Sequence, residues 1–195
     1  MKLGFVANSH GNLELLEAVV VMLVERHRVK HVVPVGSAVY DLDAVMRGRR
    51  QLFPVEVPWT SPSFPDFVLA SVLQGMPRAP AAELERNERL AAAVVDEARA
   101  QQGFQMGPVE VGVVLPGHPS SAAPVVVRAT PEHHGVETQG DRVYLAPGHL
   151  RGLDPGADPA TCLLLEVAAP GVLGARFLDP EGGPIGEPVP IAVGP

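Results

Sequence analysis

The sequence predicts an α/β fold, and three observations carry that expectation. Leu3, Phe5 and Val6 read as a short buried strand that empties through the polar turn Asn8-Ser9-His10-Gly11-Asn12 into an apolar helix. Two further strands, separated by a second helix, follow before residue 58. From Val109 the pattern changes to short strands punctuated by Gly, Pro and Asp. Strand–helix–strand–helix–strand in so short a span implies parallel pairing with right-handed crossovers. Loops at the carboxyl ends of such strands converge, so the turn after the first strand is the first place to look for a site.

The first helix is expected over Leu13 to His27. Leu13, Leu16, Val20, Leu23 and Val24 form one face, while Ala18, Val19, Val21 and Met22 fill much of the rest. A helix apolar nearly all round is expected to be covered on more than one side. Asn12 suits its N-cap, and Glu14 and Glu17 suit the positive end of its dipole. His31 to Val35 reads as the second strand, ending at Gly36-Ser37; Asp41 to Arg50 as a helix; Leu52 to Val57 as the third strand. Pro58 to Pro80 breaks the rhythm with five prolines, a short helix at Asp66 to Gln74, and the aromatics Trp59, Phe64 and Phe67. Ala81 to Gln102 reads as one long amphipathic helix with helix-spaced pairs Glu85–Arg89 and Asp96–Arg99. Strands are expected at Glu110–Leu115, Val125–Arg128, Arg142–Ala146, Thr161–Val167 and Val172–Leu178, the last two as an antiparallel pair. Residues 1–180 are read as a single domain, and 181–195 as an extended, partly mobile Pro/Gly-rich tail.

Composition narrows the function. Lys and Arg number 15 against 22 Asp and Glu, a net charge of −7, which argues against a nucleic-acid partner. The basic cluster Arg47, Arg49 and Arg50 reads as a solvated helix end. Cys162, alone in an apolar run, reads as a buried structural thiol. The longest apolar run, Ala18 to Val24, is too short to span a bilayer, and the chain opens on no basic-then-apolar leader. A cytoplasmic protein without membrane insertion is the expectation, and a homo-oligomer is compatible with it.

Taken together, these residues resemble the calcineurin-like metallophosphoesterase superfamily, in its small bacterial phosphodiesterase branch. That family begins with a strand, Asp-x-His-Gly-Asn and a helix; here Asn8-Ser9-His10-Gly11-Asn12-Leu13 stands in that place. Its second signature, Gly-Asp, corresponds to Gly36-Ser37, and its late Asn-Pro-Gly-Ser to Ala146-Pro147-Gly148-His149. The resemblance covers roughly residues 1–50 and 108–180. It implies a four-layer α/β/β/α sandwich of two mixed sheets with helices outside. It also implies two adjacent divalent metals that clamp a phosphate and generate a hydroxide nucleophile. Adjacent dications repel, so they need a bridging carboxylate and further anionic ligands.

Carried over position by position, those anions are missing. Asn8 stands for the first Asp and Ser37 for the bridging Asp, while His10 is retained; these three form a vestigial catalytic site. The Gly-Asn-His-Asp/Glu segment is absent near Pro58 to Pro65. The first downstream His aligns with Pro116 or His118, Gly-His-x-His most nearly with Pro131-Glu132-His133-His134, and His149 replaces the last Ser. Asp43 lies in a predicted helix, badly placed to rescue the bridge, and His27 and His31 read as surface or dipole-capping residues.

Three expectations follow. The first is a non-catalytic scaffold or adaptor, similar in that respect to the scaffold subunit of eukaryotic retromer, binding another protein through Trp59, Phe64 and Phe67 and needing no cofactor. The second is an atypical phosphoesterase with a single divalent metal (zinc, nickel or manganese) on His10, His118, His133 or His134. The third is a metal-free binder of a phosphate-containing small molecule, using hydrogen bonds from Asn8, Ser37 and the histidines.

Overall fold

The computed structural model describes residues 1–42, 81–118, 121–130, 133–150 and 159–193. The elements are β1 (Lys2–Ala7), α1 (Leu13–Val21) running on into a π-helical turn (Met22–Arg26), β2 (His31–Val35), α2 (Ala81–Ala93) and α3 (Glu97–Gln101). Then come β3 (Phe104–Met106), β4 (Val109–Val113), β5 (Val125–Val127), β6 (His134–Gln139), β7 (Arg142–Pro147), β8 (Cys162–Ala169), β9 (Val172–Leu178) and β10 (Pro184–Ala192). They build two five-stranded mixed sheets, β10-β9-β8-β1-β2 and β3-β4-β5-β7-β6. In the first, only β1 and β2 run parallel; in the second, β4, β5 and β7 do.

Side-chain alternation explains the layering. Leu3, Phe5 and Ala7 of β1, Val33 and Val35 of β2, and Leu163 and Leu165 of β8 point inward. They meet Val111, Val113, Val125, Val127 and Leu145 from the second sheet in one core. The intervening Val6, Val32 and Leu164 face the other way and meet Leu16, Val19, Val20 and Leu23 of the first helix and Leu90 and Ala93 of α2. Each fully buried Val, Leu or Phe among them contributes about 1.5–3 kcal/mol. Gly4 sets how closely the helix approaches, since a Cβ there would stand 2.8 Å from Leu23 Cδ1.

Several expectations need correction. The first helix has one covered side, not several: Leu13 and Ala18 are exposed, because only one sheet face lies beneath it. The helix after β2 starts at residue 38, not 41. The long helix at 81–102 is two. Val94 and Val95 run extended between α2 and α3, Val95 donating its N–H to Val32 O at 2.9 Å. Asp96 then caps α3 by accepting from Arg99 N at 2.8 Å, so that spacing is a cap rather than an ion pair. Two adjacent β-branched residues beside an open strand edge gain more from that edge than from helix. Arg86 pairs with Glu25 instead, through 2.6 and 3.1 Å hydrogen bonds that tie α2 to the end of the first helix.

Within the Pro/Gly-rich segment that follows residue 180, Pro184–Ala192 is the edge strand β10, paired antiparallel with β9. Its prolines and the bulge between Ile185 and Val189 fit an edge, where a missing N–H costs nothing. The expected third strand, the helix at 66–74 and the cluster Arg47, Arg49 and Arg50 lie outside the described residues. Among the described residues, no helix is long and apolar enough to cross a membrane. Cys162 is buried, and burial, with Asp179 adding to it, pushes its thiol up to about 12, as suits an inert core residue.

The β9–β10 turn folds over the end of the first helix. Arg26 donates to the Glu181 carbonyl, and a Cβ on Gly182 would lie 2.9 Å from His27 Nε2. Burial holds His27 below the usual histidine value; the Gly182 backbone opposes this, while Arg26, Lys2 and Arg176 add to it. Burial also lowers His31, helped by Lys30 and Arg99. A histidine depressed in the folded state leaves the unfolded chain with the greater proton affinity. Its stabilisation is therefore complete above the unfolded value of 6.5 and is lost as pH falls through the lower folded value. The urea midpoint is expected to fall between about pH 7 and about pH 5.5, and His27→Gln to make that fall shallower. An unchanged slope in the variant would remove His27 from this account.

Candidate functional site

The carboxyl ends of β1, β2, β5 and β7 meet at one crest. Asn8, directly after β1, is 7% exposed and sits at φ 48°, a left-handed conformation that Asn tolerates better than most residues. Its Nδ2 donates to Thr130 O, beyond β5, at 2.6 Å. Its Oδ1 faces Gly36, where any Cβ would overlap it and come within 2.7 Å of Ala129 Cβ. Its carbonyl accepts from Leu150 N, past β7, at 3.2 Å. One side chain and its backbone thus tie together the ends of all four strands.

The next residues form a second bracket. Asp41, one turn into the helix that begins at residue 38, accepts through Oδ2 from Ser9 Oγ at 2.6 Å and from Gly11 N at 2.9 Å. Ser37 Oγ accepts from His10 N at 3.1 Å. His10 and Gly11 also have positive φ, 48° and 81°, so the loop is tightly coiled and uses carboxylate and hydroxyl as acceptors for its polar hydrogens. Asn12 Oδ1 then caps α1 on Leu15 N at 3.3 Å. The sequence reading weighs Asp43 as the carboxylate after Gly36-Ser37, a residue outside the described ones, whereas the carboxylate at the loop is Asp41. The signal available was its i+4 spacing from Ser37, read correctly only if the helix starts three residues sooner.

The histidines are spread around this crest. His10 is exposed on the first loop. His118 is exposed on the turn after β4, with Nε2 3.9 Å from Glu97 Oε1. His133 is exposed, and its carbonyl accepts from Thr130 Oγ1 at 2.6 Å. His134 opens β6 and packs its ring on Phe177, centroids 5.0 Å apart. His149 is buried at 3% exposure beneath the crest. Among the described residues, no three His, Cys, Asp or Glu side chains gather in a group able to hold a metal. Trp59, Phe64 and Phe67 lie outside the described residues, as do Pro131 and Glu132.

The donor set can be tested against the metal pair that this crest holds in the resembled family. Around Asn8 stand Gly36, Ala129, the Thr130 carbonyl and Ser37: two apolar groups, neutral oxygens and an amide. The nearby carboxylate, Asp41, already serves the first loop. Among the described residues, Asn8 and Ser37 bring no negative charge to the place where two adjacent dications would require it, so these residues do not fit a paired-metal centre. The Asn8 N–H donated to Thr130 is equally unavailable to a phosphate.

No family model matches the chain, and no curated protein matches it. Among solved structures it is similar to a predicted phosphoesterase of Streptococcus pneumoniae, at 12% identity and TM-score 0.54, over 98% of this chain and 97% of that one. It is also similar to Vps29 of Chaetomium thermophilum, at 10% identity and TM-score 0.49, over 100% and 96%. An archaeal phosphodiesterase aligns at 13% identity and TM-score 0.48, over 91% and 99%. The fold shared with the Streptococcus pneumoniae protein is an α/β sandwich, and among the described residues its two mixed sheets have five strands each, flanked by helices. Within that class the chain has the fold of the Streptococcus pneumoniae predicted phosphoesterase, the calcineurin-like metallophosphoesterase fold.

Proposed function

We propose that this chain is a non-catalytic protein of metallophosphoesterase fold that serves as a protein-binding scaffold or adaptor. One observation carries the reading: Asn8 donates its side-chain N–H to the Thr130 carbonyl, with its Oδ1 turned toward Gly36, inside the crest where the resembled family holds its metals. A hydrogen-bonded amide there closes the crest without cofactor, and the two cores below it need no metal to pack. Trp59, Phe64 and Phe67 are the aromatic residues proposed to meet a partner protein, because aromatic anchors carry much of the energy of interfaces.

Purified protein is expected to hydrolyse bis-p-nitrophenyl phosphate no faster than blank, with manganese, zinc or nickel added. Bound metal is expected below about 0.1 per chain, since occupancy follows affinity. A metal-dependent rate well above blank, lost on His10→Ala, would reject the proposal in favour of an atypical single-metal phosphoesterase.

A further inference from the structure

The turn between β9 and β10, residues 179–183, is fastened over a histidine. Arg26 donates to the Glu181 carbonyl. Gly182 is buried against the end of the first helix: a Cβ on it would stand 2.9 Å from His27 Nε2 and 2.9 Å from Met22 Sδ. Among the described residues, that Nε2 is enclosed and has no hydrogen-bond partner. The Gly182 backbone favours a proton on the ring, yet no hydrogen bond of normal geometry reaches Nε2, so burial prevails.

The charged groups around the ring do not relieve it. Arg26 beside it, Lys2 at the start of β1 and Arg176 on β9 are all cationic. Glu166 of β8 is engaged by two of them, Lys2 at 3.4 Å and Arg176. Glu25 is engaged by Arg86 of α2. In the turn itself, Asp179 Oδ1 accepts from Gly183 N at 2.7 Å, and Glu181 offers its carbonyl to Arg26. An imidazolium carries a donor on each nitrogen, and the donor on Nε2 would be sealed in without an acceptor. Moving Gly182 away gives it water.

The turn can move as a unit. The bonds from Gly182 N to Asp179 O and from Asp179 N to Gly183 O, both 2.9 Å, lie inside it and travel with it. Strand β10 is the edge of its sheet and pairs there with β9. Its bulge separates the pairs Pro184–Leu178 and Ile185–Phe177 from the later register. The near end of β10 can therefore part from β9 while residues 189–192 stay paired.

We infer that the β9–β10 turn is a proton-operated latch: over neutral His27 it is closed, and over protonated His27 residues 179–185 lift from the helix end and bare the adjoining end of β9. The sheet edge is thus guarded at neutral pH and open in mild acid. The inference goes beyond the scaffold reading and is independent of it, because it holds whether or not the crest turns over phosphoesters. It also differs from a general loss of stability in acid, because the opening is confined to one end of one strand.

Hydrogen exchange on the isotopically labelled full chain tests it, with rates expressed as protection factors so that the pH dependence of the exchange chemistry drops out. Between about pH 7.5 and about pH 5.5, protection of the Asp179 and Gly183 amides is expected to fall about threefold to tenfold, tenfold being the limit for an open form whose histidine titrates at 6.5. The amides of Val6 and Leu164, in the middle of the sheet, are expected to keep theirs. His27→Gln, neutral at both pH values, is expected to leave the turn protected and to abolish the response. Gly182→Ala, whose methyl would press on Nε2 and Sδ from a backbone at φ 85°, is expected to hold the turn open at both pH values. If Gly182→Ala fails to fold, the His27→Gln comparison still decides. Unchanged protection of the turn in mild acid, a response that survives His27→Gln, equal loss in the middle of the sheet, or a folded Gly182→Ala chain with a fully protected turn would each overturn the inference.

Discussion

Asn8→Asp is expected to lower the stability of the folded chain by about 2–4 kcal/mol at neutral pH, and millimolar manganese is expected not to restore it. The motive is the 2.6 Å contact from Asn8 Nδ2 to the Thr130 carbonyl, at a residue 7% exposed. An aspartate puts an anionic oxygen where a donor stood, against a carbonyl oxygen and with no cation beside it. Its pKa in the folded state then rises above the ordinary aspartate value. The loss is therefore full at neutral pH and is relieved as pH falls through that raised value, when a protonated carboxyl again has a hydrogen to donate. Urea denaturation at two pH values, each with and without manganese, checks all of this. Aspartate is also the residue that stands at this place in metal-bearing members of the resembled family. A site one carboxylate short of working would gain stability from manganese by mass action. Such a gain would contradict the reading of the crest as closed by hydrogen bonds.

Gly36→Ala is expected to cost about 3–4 kcal/mol, because backbone strain and overlap add. Gly36 has φ 59°, and its Cβ would overlap Asn8 Oδ1 and crowd Ala129 Cβ at 2.7 Å. The neighbouring atoms cannot yield cheaply, since Asn8 is held by Thr130 and Leu150. Gly117→Ala separates the two contributions: φ there is 80°, but nothing lies within 4 Å of the added carbon, so only the strain of about 1 kcal/mol is expected. Chemical denaturation of the two variants side by side is the measurement. Equal losses would mean that the crest is looser than these contacts imply.

The fold was readable where alternation and caps agree. Strand β2 and strand β9 lie where the sequence put them, and Asn12 caps α1 through Leu15 N as its position predicted. The parallel pairing of β1 with β2 followed from the helix between them. Failures came where tertiary contacts overruled local preference. Val94 and Val95 look like part of a helix until the open edge of β2 is known. Strand β6 carries glycine, charge and amide in place of an apolar alternation, because only His134, Val136 and Thr138 share a face with the core. Strand β10 was hidden by its prolines, which an edge tolerates. At the crest, Asn8, His10 and Ser37 were visible by their place after strands, and the structure does put them at adjoining loops. Asp41 was not visible, because its role depends on where a helix begins, and boundaries are the weakest part of a sequence reading. The placing of His118, His133 and His134 depends on long loops, whose course no local pattern fixes.

The amide of Asn8 reaches a carbonyl 122 residues further along the chain. A contact of such sequence separation closes only after both sheets exist and have come together, since its loop entropy must first be offset by the cores beneath it. The crest is thus a late event in folding and an early casualty of unfolding. Changes confined to it alter how long the native chain survives far more than how fast it is made.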